Sequence, residues 1–286
     1  MSERVFIVGA GQVGRGLFRA FRASGVEVLG LHGHRPSAAA TSSGPLPASI
    51  ANANAIIVAV RDEQIDVAVE ELMQDRRATG RGRLAAGTVI VHTSGSADPL
   101  TIARLADVNL NGGTFHPLVP FANADRAPEL LRNAWIGIDG DDPARATSRR
   151  LAGSIGARTL DIPVGGKGVY HAAAVMSSNF PVVLAAVASR MLVDLGVPER
   201  SAQHAVHSLM QSAVSNIADA PAEKVLTGPV VRGDGETVRR HLTALRGFPD
   251  AKALYRRLSL AALEIASARG LDPERVAELQ RLLLLR

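Results

Sequence analysis

Cysteine is absent from the 286-residue chain, which excludes disulfide frameworks, thiol nucleophiles and thiolate metal sites. Aromatic residues make up only 3%, so stacking platforms for bases are lacking. The formal charge is +5, yet arginines alternate with acids instead of forming a basic stripe, and nucleic acid is not an expected partner. No uninterrupted apolar run approaches the roughly 18 to 20 residues that a membrane span needs, so no membrane partner is expected. Only three residues precede the strand-like run Arg4–Val8, too few for the charged and apolar regions of an export signal. The expectation is therefore a cytoplasmic protein. Lysine is scarce as well: it occurs only at Lys167, Lys224 and Lys252, and arginine fills the other basic positions. A chain that uses arginine by default keeps lysine where a compact, titratable ammonium is needed.

What is present divides in two, as the length suggests. Over residues 1–162, strand-like runs near Val5–Val8, Val26–Leu31, Ala55–Val60, Thr88–His92, Gly113–Phe115, Ala134–Ile138 and Ala157–Asp161 alternate with helical stretches. The helical stretches are Val13–Ser24, Gln64–Arg77, Pro99–Leu105 and Pro143–Ile155. That alternation predicts a doubly wound parallel sheet covered by helices on both faces, an α/β Rossmann domain. The Pro- and Ser-rich segment Pro36–Pro47 reads as an irregular connection with at most a short helix. Over residues 163–286 the strand signal stops and an all-α domain follows. Its first element, Lys167–Leu195, is apolar nearly all round from Ala172 to Met191, which predicts burial in the second domain's core or against a partner chain. A homodimer is the expected assembly. Pro198, Pro221, Pro229 and Pro249 mark helix starts or breaks, and Asp272-Pro273-Glu274 opens the last helix.

The loop Gly9-Ala10-Gly11-Gln12-Val13-Gly14 lies between the first strand and the first helix. In that context Gly9 makes the turn, Gly11 lets the backbone approach a pyrophosphate, and Gly14 lets helix and strand pack closely, so a dinucleotide is expected at the helix N-terminus. Where an NAD binder carries an acid for the ribose hydroxyls, this chain has His32-Gly33-His34-Arg35-Pro36-Ser37. Arg35 can pair with a 2′-phosphate and His34 or Ser37 can add hydrogen bonds, which favours NADP(H). The loops Val60-Arg61-Asp62 and His92-Thr93-Ser94-Gly95 follow strand ends, where ligands of doubly wound sheets bind. Val60, Arg61, Thr93 and Ser94 are expected to line the cofactor.

Lys167, Tyr170, His171, Ala174 and Ser178 share one face of the long helix by spacing. At a domain junction, Lys167 and His171 would face a carbonyl or imine that accepts hydride and needs a proton. The segment Phe115-His116-Pro117-Leu118 follows a strand, and Thr227–Asp234 contains Arg232 and Asp234. Arg232 could clamp a substrate carboxylate with Asp234 orienting it; equally, the pair could belong to a helix start fixed by a local ion pair.

With these segments the whole chain resembles the 6-phosphogluconate-dehydrogenase-like superfamily. It is most similar to the group that joins a Rossmann-like half to a C-terminal helical domain of unknown function. The matching segments are Gly9–Gly14, His92–Gly95, Phe115–Pro117, Lys167–His171 with Ser178-Asn179, and Leu226–Asp234. The resemblance to ketopantoate reductases and hydroxy-acid dehydrogenases implies that Lys167 donates the proton, with His171 standing where they carry asparagine. His92-Thr93-Ser94-Gly95 stands where ketopantoate reductases have His-Asn-Gly, and His116-Pro117 is similar to the catalytic His-Pro pair of prephenate dehydrogenases. The implied activity is an NADPH-dependent reduction of a small keto acid such as ketopantoate, a small-molecule carboxylate. An imine reduction similar to that of pyrroline-5-carboxylate reductases and a non-catalytic NADP-binding sensor or scaffold are the alternatives.

Overall fold

The strand β1 (Arg4–Val8) alternates two sets of apolar side chains, Val5 and Ile7 on one face and Phe6 and Val8 on the other, so both faces must be covered. A computed structural model describes residues 3–77, 84–97 and 99–284. The chain divides into two compact units, Met1–Asn179 and Phe180–Arg286.

In the first unit α1 (Gln12–Ala23) returns the chain to β2 (Glu27–Gly33) and the two-residue β3 (Ser42–Ser43). Then follow β4 (Ala55–Val58), α2 (Asp62–Arg77), β5 (Val89–His92), α3 (Pro99–Ala103) and β6 (Asn111–Pro117). The short α4 (Ala127–Leu131), β7 (Trp135–Gly140), α5 (Asp142–Ser154), β8 (Arg158–Asp161) and the start of α6 (Lys167–Asp194) complete it. The eight strands form one sheet in the order β3-β2-β1-β4-β5-β6-β7-β8. Leu17 and Phe21 of α1, Leu131 of α4 and Leu151 of α5 cover one face. Ile65, Val69 and Leu72 of α2, with Ile102 of α3, cover the other.

Two features correct the sequence expectation here. The sheet is not parallel throughout, because β7 runs antiparallel to β6, Thr114 facing Asp139 and His116 facing Gly137. Alternation of strand and helix carries no strand direction, so the reversal was invisible. Within Pro36–Pro47 the structure places β3, held to β2 by Thr41 Oγ1 accepting from the Leu31 amide at 2.8 Å and by Ser42 Oγ lying 3.0 Å from His32 Nδ1. The strand is a two-residue parallel pairing with β2, too short for hydrophobic periodicity to report.

In the second unit α6 continues and is followed by α7 (Glu199–Asp219), α8 (Ala222–Val225), α9 (Gly235–Ala244), α10 (Pro249–Ala268) and α11 (Pro273–Leu284). Val238, Leu242, Leu263, Leu279 and Leu283 make a core among α9, α10 and α11. Asp272 caps α11 as expected, its Oδ1 accepting from the amides of Glu274 and Arg275 at 3.0 and 3.2 Å. The expected burial of Ala172–Met191 is not met within one chain: Met176 is 64% exposed and Val182 69%. By length and composition α6 is also apolar enough to cross a membrane, though Ser177, Ser178, Asn179, Ser189 and Arg190 interrupt it.

Candidate active site

Gly9 adopts φ +115°, and a Cβ there would collide with the Ala59 carbonyl; one at Gly14 would collide with the Gly9 carbonyl. Both must be glycine for β1, β4 and α1 to meet. Gly11 differs, since a Cβ there would meet nothing within 4 Å. The backbone of this turn therefore borders open space at the N-terminus of α1, whose first turn carries no acid to neutralise its dipole. Gln12 supports the turn by accepting from the Ala124 amide at 3.1 Å, and Val13 packs on the core. At the end of β2, His34 and Arg35 are exposed and form no ion pair with an acid among the described residues, and no carboxylate occupies the place of a ribose-binding acid. Arg61 is exposed after β4, and Val60 packs partly against the core.

The loop after β5 is rigid through its own side chains. Ser94 Oγ accepts from the amides of Ser96 at 3.1 Å and Ala97 at 3.0 Å, and Ser96 donates to Asp62 at 2.8 Å. The Ser94 hydroxyl is thus committed to shaping the loop, while Thr93 is only partly buried. Gly95 fits under two rings: a Cβ there would press into His171 and His116.

Register brings three polar side chains into one row across the sheet. His92 is paired with Thr114, and Thr114 with Asp139. Lys167, in the first turn of α6, lies over this row with its ammonium 2.7 Å from Thr114 Oγ1, 3.4 Å from Asp139 Oδ2 and 3.3 Å from His92 Nε2. The Ser94 amide donates to His92 Nδ1 at 3.2 Å, so the neutral ring holds its proton on Nε2, 3.3 Å from Thr114 Oγ1. Burial, reinforced by the Lys167 charge, pulls the His92 pKa down to about 3. Lys167, only 6% exposed, is enclosed by these groups.

Two residues further along β6 lies a second polar layer, one helical turn further along α6. His116 Nδ1 is 2.7 Å from the Tyr170 hydroxyl, and the His171 ring stands edge-on to His116 at 5.8 Å between centroids. Gly137, opposite His116, leaves room for the Tyr170 hydroxyl, into which a Cβ would project. Burial, then the neighbouring His171 and Lys167, lower the His116 pKa to about 4, and burial with the Asp139 charge raises that of Tyr170 to about 12. His171 Nδ1 is buried without a hydrogen-bond partner. These residues border a cleft of about 730 Å³ whose walls include Pro117, Leu160, Ala174, Ser178 and Asn179.

No curated protein matches the chain. Residues 134–262 match the family described as a domain of unknown function, DUF2520. Among solved structures, TM1727 from Thermotoga maritima is 24% identical with a TM-score of 0.68, over 93% of this chain and 99% of that one. BF3122 from Bacteroides fragilis, named as a provisional NADP oxidoreductase, is 19% identical with a TM-score of 0.70, over 92% and 98%. A pyrroline carboxylate reductase from Plasmodium falciparum, solved with NADP bound, is 10% identical with a TM-score of 0.60, over 97% and 98%. The chain shares its fold with these proteins.

Of the residues singled out from sequence, His116, His171, Ser178 and Asn179 meet at the cleft. Lys167 does not border it and lies in the row beneath, beside a smaller cavity of about 350 Å³ that Asp139, Asp141 and Arg145 also line. Arg232 and Asp234 lie in the second unit. There Asp234 caps α9, accepting from the Thr237 amide at 3.0 Å and hydroxyl at 2.7 Å, and these bonds hold its carboxyl below the usual range. Its carboxylate serves the helix start, and Arg232, which is exposed, adds a smaller effect of charge on it. Thr114 and Asp139 were not singled out from sequence, while Tyr170 was placed only on the polar face of the long helix and His92 only in a loop lining the cofactor. Parity along β6 was the available signal, because Thr114 and His116, two residues apart, share one face of the strand.

Proposed function

We propose that the protein is an NADP(H)-dependent oxidoreductase that reduces a small C=O or C=N compound in the cleft beside His116. The observation that carries this reading is the turn Gly9–Gly14. Two of its glycines are required by packing, whereas Gly11 is open at a helix N-terminus, a cradle that a side chain would fill and a pyrophosphate fits. Arg35, at the carboxylate-free end of β2, suits a 2′-phosphate. The buried, unpartnered His171 Nδ1 beside Gly95 can accept from an amide N–H such as that of a nicotinamide. NADP in the Plasmodium relative supports the same choice. A bound reduced nicotinamide supplies hydride; the chain's own residues hold the substrate and furnish the proton.

The keto acid implied by sequence, of ketopantoate's size, is the first substrate to test. One observation favours a cyclic imine as a second reading: the described residues bordering the cleft include no arginine or lysine to pair with a carboxylate. Oxidation of NADPH, followed by absorbance with a panel of 2-keto acids and cyclic imines, tests both. Turnover of one class selects it. Tight NADPH binding with no turnover of any compound would instead favour a binding-only sensor.

The exposed apolar faces of α6 and α7 are the basis for a further part of the reading, a homodimer formed through them. Val182, Val193 and Val214 line a groove of about 990 Å³ between these helices within the second unit. A second copy of the chain would bring an equally apolar face to it.

A further inference from the structure

Lys167 is the proton donor that the sequence resemblance implies. Its ammonium is surrounded by Thr114, Asp139 and His92, and it does not border the cleft that holds His116, Tyr170 and His171. A group enclosed in this way can fix charge and geometry, but it has no line to a substrate in that cleft. The next layer does face the cleft.

We propose that the proton accompanying hydride is delivered by His116 Nε2–H and replaced from the Tyr170 hydroxyl, with Lys167 a positioning residue beneath them. This rests on the reductase reading and assigns its proton path. The direction of the His116–Tyr170 hydrogen bond is part of the proposal, because the phenol needs an acceptor for its proton. The Tyr170 oxygen sits against the Gly137 backbone, where even a Cβ would not fit, and His116 Nδ1 at 2.7 Å is its hydrogen-bond partner. The phenol therefore donates to Nδ1, and the neutral imidazole keeps its own proton on Nε2. Among the described residues His116 makes no other hydrogen bond, which leaves Nε2–H for a ligand.

As hydride reaches the substrate carbon, the π pair of the C=O or C=N bond moves to the heteroatom. That atom takes the Nε2 proton, and Nδ1 takes the phenol proton. The imidazole emerges neutral in its other tautomer beside a phenolate; Nε2 then takes a proton from water in the cleft while Nδ1 returns its proton to the phenolate, which restores the starting pair. A phenol near pKa 12 is acidic enough to protonate an alkoxide, and an imidazole near 4 stays neutral at working pH, so the pair is ready over a wide range. The charged or titratable neighbours are His171 and Lys167 from α6, Asp62 from α2, Asp139 from β7 and His92 from β5. Lys167 and Asp139 largely offset each other across 3.4 Å.

Two measurements on the full chain test this. Nitrogen-15 NMR of histidine-labelled protein without cofactor should show His116 as the Nε2–H tautomer from pH 6 to 9. Tyr170→Phe should shift the Nδ1 resonance by removing its donor, and Lys167→Met should leave the tautomer unchanged. With whichever panel compound is turned over, Tyr170→Phe and His116→Asn should lower kcat about 100-fold, with KM and NADPH affinity near wild type. Wild-type kcat should be flat from pH 6 to 9. An Nδ1–H tautomer in a protein that binds NADPH, or wild-type kcat in Tyr170→Phe, would overturn the proton path and leave the reductase reading intact. Failure to bind NADPH would remove the reductase reading, while the tautomer would still report the polarity of the pair.

Discussion

At the scale of single residues, Arg35 and the two buried histidines make the sharpest expectations. Arg35 is exposed beyond β2 with no acid beside it at the strand end, so its guanidinium is available to a 2′-phosphate. A charge-assisted hydrogen bond contributes about 1.5 to 3 kcal/mol, so Arg35→Ala should weaken NADPH roughly tenfold to a hundredfold and leave NADH unchanged. Fluorescence titration with both cofactors measures it; equal affinity of the wild type for the two would count against NADP(H). His92 and His116 act on stability through pH. Their native pKa values of about 3 and about 4 lie below the ordinary 6.5, so as pH falls the unfolded chain takes up protons that the native state refuses. Their contribution is fully present above about pH 6.5 and declines as pH falls toward 4 and then 3, by up to about 1.4 kcal/mol per pH unit for each ring. Urea unfolding at pH 7 and pH 5 should show His92→Gln losing about 2 kcal/mol less than wild type over that interval. Parallel losses in the two proteins would mean that His92 is not held neutral by the fold.

At the scale of elements, the strands and helices of the first unit were legible because period and length both spoke: β1, β2, β4 and β5 lie within a residue or two of the runs read from sequence. The turn Gly9–Gly14 was legible too, since its glycines are dictated by backbone collisions that recur wherever a strand hands over to a helix this closely. What stayed hidden depends on relations between elements. The antiparallel β7 places Asp139 against Thr114 and Gly137 against His116, and only pairing reveals that a charge and a gap lie there. Lys167 and Tyr170 share a helical face by spacing, as expected, yet one turn of rise sends them to different layers of the sheet, one enclosed and one at the cleft. Sequence spacing located the face but not the layer, and so it favoured the scarce lysine over the tyrosine beside it. Asp234 shows the same limit, because its spacing to Thr237 marks a helix cap while its nearness to Arg232 suggested a clamp.

At the scale of the molecule, the apolar middle of α6 must be reconciled with its exposure. A helix apolar on every side is stable in water only when something covers it. Within one chain the cover is incomplete: Phe180, Val182 and Val183 on α6, and Leu209, Val214 and Ile217 on α7, are each at least half exposed. A membrane would cover α6, but Arg190, Asn179 and three serines would then have to leave water as well. A second copy would cover both helices with matching apolar surface and let the polar groups stay at the rim, the arrangement expected of a two-fold interface. Light scattering of the purified protein at micromolar concentration should therefore give twice the 30.0 kDa chain mass. Replacing exposed residues on both helices, as in Val182→Glu with Leu209→Glu, should return it to the mass of one chain, because two buried carboxylates without partners oppose association by several kcal/mol. The Nε2–H tautomer of His116 should survive in that variant, since Tyr170, Gly137 and Gly95 all belong to the first unit. A wild type that scatters as a single chain would remove the homodimer and leave the exposed faces of α6 and α7 to a different partner.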